Sequence, residues 1–160
     1  VYKRQIYEGL KYIMRDDPEE TIGIVLVHDA ARCFAPAELF STVTERVRTI
    51  MSQNVAAGVV PALPVVDTIK MVDSSGNVLG TPDRTRLRRV QTPQGFDAKL
   101  LWTLHQEARK EGLSTTDDAA LLEKFQFGVA TVPGDEKALK ITTPTDLRLA
   151  QFIMEEDAEG

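Results

Sequence analysis

An apolar run that ends at an acid and an arginine is the segment of this sequence best placed to do chemistry. It reads Val25-Leu-Val-His-Asp-Ala-Ala-Arg32. A buried parallel strand is a continuous apolar run, and ligands of an open α/β sheet bind beyond the carboxyl ends of its strands. Asp29 and Arg32 would then face the crevice where a substrate binds. The alternative is that Asp29 caps the following turn and Arg32 is a surface charge, and the spacing alone leaves both open.

Two further residues beside this pair have reactive side chains. His28 precedes the acid, and we interpret it as a packed histidine at the end of a strand. Cys33 follows the arginine without a neighbouring histidine to activate it, which favours a small half-buried thiol over a nucleophile. With two histidines and one cysteine far apart in the sequence, a protein-ligated zinc site is not expected.

Hydrophobic spacing predicts alternating helices and strands around this segment. The predicted strands lie at 22–27, which we expect to be central, at 55–63 and at 128–132. The predicted helices begin near residues 6, 36, 97, 115 and 143; the fourth has Thr115 or Thr116 as its cap, and the last runs to about 154 and is followed by a frayed acidic tail.

The stretch from about 65 to 90 has a different character, because its pattern is that of an exposed hairpin. A strand is predicted at 65–72, a turn at 73–77 and a returning strand at 78–81. An isolated hairpin is only marginally stable in water, so this arm needs a partner surface.

Length and composition restrict the class of protein. The 160 residues suit one domain, and the net charge of −5 argues against general nucleic-acid binding. A single cysteine fits a reducing compartment, and no apolar stretch approaches the ~18 residues of a membrane span. We therefore expect a cytoplasmic protein that binds neither nucleic acid nor membrane.

Four further segments, taken together with residues 25–32, point to a protein family. Together with residues 25–32, and in the same order and spacing, the sequence resembles the 2-C-methyl-D-erythritol 4-phosphate cytidylyltransferase family over residues 6–154. The four segments are Val66-Asp-Thr-Ile-Lys70, Asp83-Arg84, Gln91-Thr-Pro-Gln94 and Lys140-Ile-Thr142. The resemblance implies a Rossmann-like α/β nucleotidyltransferase fold, a three-layer sandwich with a projecting β-hairpin arm for dimerisation. It also implies the transfer of CMP from CTP to 2-C-methyl-D-erythritol 4-phosphate, with release of pyrophosphate.

The resemblance also suggests roles for particular residues. Arg84 and Lys140 would be catalytic, orienting the acceptor phosphate for attack, with Arg84 reaching from the neighbouring subunit of a homodimer. The acceptor would be bound by Asp29, Arg32, Thr68 and Thr92. Asp29 would in addition support the region of the cofactor Mg²⁺, which is held mainly by CTP phosphates rather than by protein ligands.

Two other functions stay open at this point. A related cytidylyltransferase that acts on ribitol 5-phosphate shares the fold and many of the motifs. A non-catalytic domain that only binds nucleotide or dimerises is the second alternative. Offering both acceptors to the full-length enzyme would distinguish the two cytidylyltransferases.

The amino-terminal part of the family pattern is missing from the sequence. No first strand with a glycine-rich phosphate loop precedes residue 6, so we expect residues 6–160 to be the C-terminal two-thirds of one cytidylyltransferase domain, inactive by itself. Residues 1–5 match the translation of a transposon end used in sequencing libraries, and we expect them to be non-native; a native basic helix start is the alternative. A cyclase domain fused downstream is also left open.

Overall fold

The chain is built from both helices and strands. The computed structural model describes residues 2–17, 19, 21–53 and 55–159, with side chains from 5 to 155 within these ranges. The helices are α1 Tyr2–Asp16, α2 Ala37–Gln53, α3 Ala98–Lys110, α4 Asp118–Lys124 and α5 Pro144–Glu159. The strands are β1 Ile24–Val27, β2 Gly58–Pro64, β3 Met71–Val72, β4 Val78–Gly80, β5 Arg88–Val90, β6 Gln94–Asp97 and β7 Val129–Pro133.

Strand β2 organises the main sheet. β7 pairs with it in parallel along residues 58–62, while β6 and then β5 follow one another along its antiparallel side. β1 pairs antiparallel with β6. The prediction of a central, parallel strand at 22–27 is therefore wrong: among the described residues β1 is an end strand, antiparallel to its neighbour. Its apolar run misleads because helices on both sheet faces bury the strand whatever its position in the sheet.

The sheet lies between two helical layers, because side chains of each strand alternate between its faces. Val59 packs into a cluster with Val43, Val47 and Ile50 of α2. The next residue, Val60, points the other way into a cluster built with α1, α3 and α4. The result is a three-layer α/β/α arrangement, as predicted.

A glycine sets the distance between the sheet and helix α2. A β-carbon on Gly95 of strand β6 would lie 2.7 Å from Val43 Cγ1 and 2.8 Å from Val47 Cγ2. Real β-carbons do not approach so closely, so a side chain here would push α2 away from the sheet.

The predicted arm forms a separate two-stranded sheet of β3 and β4. Asp73 accepts hydrogen bonds from the backbone of Ser75 and Asn77, and Gly76 turns the chain at φ +84°. The strand predicted at 65–72 is reduced to Met71–Val72. The arm is also shorter than 65–90, because β5 at 88–90 belongs to the main sheet, where it pairs with β2.

Three further expectations need correction. The cap of α4 is Asp117, not a threonine: its carboxylate accepts from Ala120 N, whereas Thr115 donates to the Asp117 carbonyl. The tail at 155–160 is helical up to Glu159. Cys33 is exposed rather than half-buried.

The remaining expectations concern the first helix and a membrane span. Helix α1 begins at Tyr2, while Val1 and the side chains of residues 2–4, on which the expectation of non-native sequence largely falls, lie outside the described residues. No helix in the described part of the chain combines the length and apolarity required to cross a bilayer.

Candidate functional site

Four segments of the chain converge on a polar cleft of about 380 Å³. The segments are the loop after β1, the turn between β5 and β6, the residues before α4 and the residues after the 3-10 turn at 136–138. The cleft is lined by Asp29, Arg32, Val90, Gln91, Thr92, Gln94, Thr116, Asp117 and Lys140. Four of the six sequence-predicted site residues, separated by up to 111 positions, therefore share one cleft.

Asp29 is the centre of charge in this cleft. Lys140 Nζ lies 3.0 Å from Asp29 Oδ2, and Arg32 Nε lies 3.9 Å from the same oxygen. Both cations of the cleft thus lie around one carboxylate, and the side chain of Lys140 is 47% exposed. The cations can attract a phosphate, and the carboxylate can accept hydrogen bonds from hydroxyls.

Arg32 is held more tightly than an ordinary surface arginine. Nη1 donates to the Ala138 carbonyl at 2.7 Å and Nη2 to the Val90 carbonyl at 3.5 Å, and 12% of the side chain is exposed. Burial lowers the pKa of Arg32 below its usual range, and the charge of Asp29 partly opposes that shift. The guanidinium thus links three segments of the cleft.

Thr92 connects the loop after β1 to the turn before β6. Its hydroxyl oxygen accepts from Asp29 N at 3.0 Å and lies 3.0 Å from His28 Nδ1. The ring of His28 packs against Phe40 with centroids 4.9 Å apart, which agrees with the predicted packed histidine. Thr92 therefore fixes the backbone that carries Asp29.

The loop that carries Lys140 is held by Gln91, a residue that the sequence reasoning missed. Gln91 Nε2 donates to the Asp135 carbonyl at 2.8 Å, and Gln91 Oε1 accepts from Asp135 N at 3.0 Å. Beyond the lysine, Ile141 N donates to the Ala31 carbonyl at 2.9 Å. A buried glutamine has no signature in sequence spacing, since its partners lie 44 positions away.

Gln94, Thr116 and Asp117 also line the cleft, and none of them was predicted as a site residue. Gln94 Nε2 donates to Asp117 Oδ2 at 3.0 Å, while Asp117 Oδ1 caps helix α4. The polar start of a predicted helix at 114–118 was the available signal for Asp117, because capping carboxylates lie at exposed helix ends.

Arg84 and Thr68 lie on the arm and do not line the cleft. Arg84 Nη1 donates to the Val66 carbonyl, and Lys70 Nζ donates to Thr81 Oγ1 at 2.6 Å. Thr68 is exposed. Their expected roles require the arm of one subunit to reach the cleft of another, so these roles stay predictions.

The described residues contain no group of three His, Cys, Asp or Glu side chains that could hold a metal ion. Asp29 is engaged by two cations, and Asp117 by a helix cap and Gln94. This donor set does not fit a protein-held metal, so no chemical step is assigned to one.

Solved structures with the same fold identify the class. A 4-diphosphocytidyl-2C-methyl-D-erythritol synthase from Anaerococcus prevotii superposes with a TM-score of 0.83 at 30% identity, covering 97% of this chain and 64% of that one. A 2-C-methyl-D-erythritol 4-phosphate cytidylyltransferase from Thermus thermophilus gives 0.72 at 36% identity, covering 89% and 67%. The fold is thus the Rossmann-like α/β fold of nucleotidyltransferases.

Sequence comparison defines the family within that class. The family model described as 2-C-methyl-D-erythritol 4-phosphate cytidylyltransferase matches residues 3–156. Relatives of that name from Microcystis aeruginosa and Nocardia farcinica are 46% and 49% identical over 152 and 136 residues. These matches cover 95% and 85% of this chain but 62% and 55% of the relatives. The chain belongs to the 2-C-methyl-D-erythritol 4-phosphate cytidylyltransferase family and spans little more than half the length of these relatives.

Proposed function

We propose that this chain forms the acceptor side of a cytidylyltransferase that transfers CMP from CTP to 2-C-methyl-D-erythritol 4-phosphate. The convergence of Asp29, Arg32 and Lys140 in one cleft carries the proposal. A polyol phosphate has both groups that such a cleft can bind: hydroxyls that donate to a carboxylate, and a phosphate that attracts cations.

The reaction joins two anions that repel each other, and the cations of the cleft reduce this repulsion. A phosphate oxygen of the acceptor forms a bond to the α-phosphorus of CTP, and the bond from that phosphorus to the bridging oxygen breaks to release pyrophosphate. The acceptor phosphate is ionised at neutral pH, so its attack needs no general base. Lys140 and Arg32 reduce the repulsion between the two anions and orient the nucleophile, which is the main route to catalysis in phosphoryl-type transfer.

Mg²⁺ belongs to the proposal as a companion of CTP. A magnesium ion that is bound together with the nucleotide would supply further positive charge at the reacting phosphorus. Since the donor set of the cleft does not fit a protein-held ion, we assign the ion to the nucleotide phosphates. Asp29 would support the region that the ion occupies.

We further propose that the arm makes the protein a homodimer in which Arg84 and Thr68 reach the partner's cleft. The arm exposes an unusual number of apolar side chains for two short strands, and such patches mark interaction surfaces. They are Val66, Ile69, Met71, Val72, Val78 and Leu79. Charged arginines beside this patch would place positive charge near a bound phosphate.

The dimer proposal is tested by the mass of the particle in solution. The double variant Val72→Lys, Leu79→Lys should be a monomer by sedimentation, whereas Leu147→Lys, which changes an equally exposed leucine of helix α5, should remain a dimer. A wild-type chain that is monomeric at all concentrations up to the millimolar range would rule the dimer out.

Acceptor binding tests the function itself. By calorimetry, the 160-residue chain should bind 2-C-methyl-D-erythritol 4-phosphate more tightly than ribitol 5-phosphate, and Lys140→Met should weaken binding about tenfold, as expected for one lost charge-assisted contact. Lys110→Met is the matched control, because Lys110 lies on α3 outside the cleft. Tighter binding of ribitol 5-phosphate would favour the related enzyme, and binding of neither acceptor would refute the proposal.

Two further parts of the proposal concern the turnover of the 160-residue chain and its location in the cell. We expect the 160 residues to bind the acceptor without releasing pyrophosphate, because they contain no glycine-rich phosphate loop. We also propose a cytoplasmic location, which agrees with the exposed, unpaired thiol of Cys33. Pyrophosphate release by the purified chain, or a Cys33 found oxidised in freshly lysed cells, would contradict these two points.

A further inference from the structure

Gln94 has a buried oxygen without a partner in the wall of the cleft. The residue is 3% exposed and lines the cleft, and its Oε1 has no hydrogen-bond partner within the described part of the chain. A buried acceptor left unpaired is costly, and such groups in native proteins call for an explanation. A ligand that donates a hydrogen bond would satisfy it.

The orientation of this amide follows from its other end. Gln94 Nε2 lies 3.0 Å from Asp117 Oδ2, and a carboxylate only accepts hydrogen bonds. The amide must therefore present its nitrogen to Asp117 and its oxygen elsewhere. Asp117 cannot rotate to follow another partner, because its Oδ1 accepts from Ala120 N at 2.8 Å as the cap of helix α4.

A buried pair behind the cleft holds this helix start in place. Asp118, the next residue, turns its carboxylate inward to His105 Nε2 at 2.7 Å, and both side chains are at most 7% exposed. Asp117 is thus attached to strand β6 on one side, and Asp118 to helix α3 on the other. The contacts of these two neighbouring aspartates hold the start of helix α4 in place. They thereby hold the carboxylate of Asp117 that orients the Gln94 amide.

We propose that Gln94 Oε1 recognises a hydroxyl group of the polyol phosphate acceptor, with Asp117 as the residue that positions the amide. The inference rests on the proposed function and extends it, since it assigns a hydroxyl contact to a second residue of the cleft besides Asp29. The ligand group must be a donor, because the amide oxygen only accepts hydrogen bonds, and the oxygens of a fully ionised phosphate ester have no proton to donate. Cations then bind the phosphate, whereas Gln94 distinguishes a hydroxyl from a hydrogen at one carbon.

Gln94→Met is the decisive variant, because methionine keeps the length of the side chain and removes both polar atoms. Its affinity for 2-C-methyl-D-erythritol 4-phosphate should fall about tenfold, as expected for one hydrogen bond to a buried acceptor. Its affinity for inorganic phosphate should stay within twofold of wild type. In a set of acceptor analogues that each lack one hydroxyl, the analogue without the hydroxyl that Gln94 contacts should bind the wild type and the variant with equal affinity.

Matched controls separate recognition from a disturbed fold. Gln151→Met, an equivalent change on the exposed face of α5, should leave both affinities unchanged. In the wild type, the side-chain amide signals of Gln94 should shift with the polyol phosphate and not with inorganic phosphate, a readout that needs no variant.

Each outcome bears on the inference. An affinity of Gln94→Met within twofold of wild type, an equal loss for inorganic phosphate, or amide signals that ignore the polyol would overturn the assignment while the proposed function stands. If the wild type binds inorganic phosphate but not the polyol phosphate, the proposed function fails, and this inference fails with it.

Discussion

Replacing Thr92 with valine removes one hydroxyl from the junction of the cleft and leaves its shape almost unchanged. In the wild type this oxygen accepts from Asp29 N at 3.0 Å and lies 3.0 Å from His28 Nδ1, and Thr92 is 6% exposed. The γ-methyl of valine cannot accept, so the Asp29 amide and the imidazole nitrogen both lose their partner.

The expected loss of stability follows from burial. An unsatisfied buried polar group costs about 1–3 kcal/mol, and the lower half of that range applies because Asp29 and His28 are half-buried and can recruit water. At ~2.1 cal/mol/K per residue, a chain of 160 residues has an unfolding entropy of about 0.34 kcal/mol/K. A loss of about 1–2 kcal/mol therefore lowers the melting temperature by about 3–6 °C.

Calorimetric melting of the wild type and three variants tests this expectation. Thr92→Ser keeps the hydroxyl and should melt within about 2 °C of wild type, allowing for the loss of one methyl group. Thr44→Val, on helix α2, removes a hydroxyl that donates to the Phe40 carbonyl, an oxygen of the helix itself, and should have little effect. If Thr92→Val melted together with Thr92→Ser, the hydroxyl would not hold the loop and the account would be wrong.

Three further perturbations have expected outcomes. Gly95→Ala forces a β-carbon to within 2.7 Å of Val43 Cγ1 and should lower the free energy of unfolding by about 1–3 kcal/mol in denaturant titrations; a neutral result would mean that α2 shifts freely. Arg32→Lys replaces a fork that reaches two backbone carbonyls by a single point charge and should lose about 1.5–3 kcal/mol, measured in the same way; equal stability would contradict the bracing role. Hydrogen bonds, foremost from the backbone of Thr142, lower the pKa of Asp146, so the stabilisation it gives is present above about pH 4 and is lost as the pH falls through the lowered folded pKa. The amide shift of Thr142 should follow that titration and be flat in Asp146→Asn.

Most helices and strands were predictable because their signals are local. The spacing of Leu39, Val43, Val47 and Ile50 predicts α2, and all four are buried. The Thr143-Pro-Thr-Asp146 run predicts the start of α5, where Asp146 accepts from the backbone of residues 142 and 143. Each of these patterns involves residues within a few turns of one another.

The placement of strands was not predictable in the same way. The apolar run of β1 predicts burial on both faces, which α2 on one side and α3 with α4 on the other provide. It contains no information on which strand lies alongside, because strand pairing is made by backbone groups that all residues except proline possess. The prediction of the α4 cap was wrong for a related reason. Thr115, Thr116 and Asp117 can all cap a helix, and tertiary contacts decide among them.

The residue types and their order along the chain establish the kinds of chemistry available: an acid and cations beside apolar strands, a hairpin with apolar faces, and five short segments in the order of one family. Which of these side chains meet depends on the packing of distant segments. It brings Asp29, Arg32, Thr92 and Lys140 to one cleft and leaves Arg84 and Thr68 on the arm. It also adds Gln94, oriented by a carboxylate 23 positions away. The physical reason is that charge and hydrogen-bonding capacity belong to individual residues, whereas the partner of each group depends on how distant segments pack.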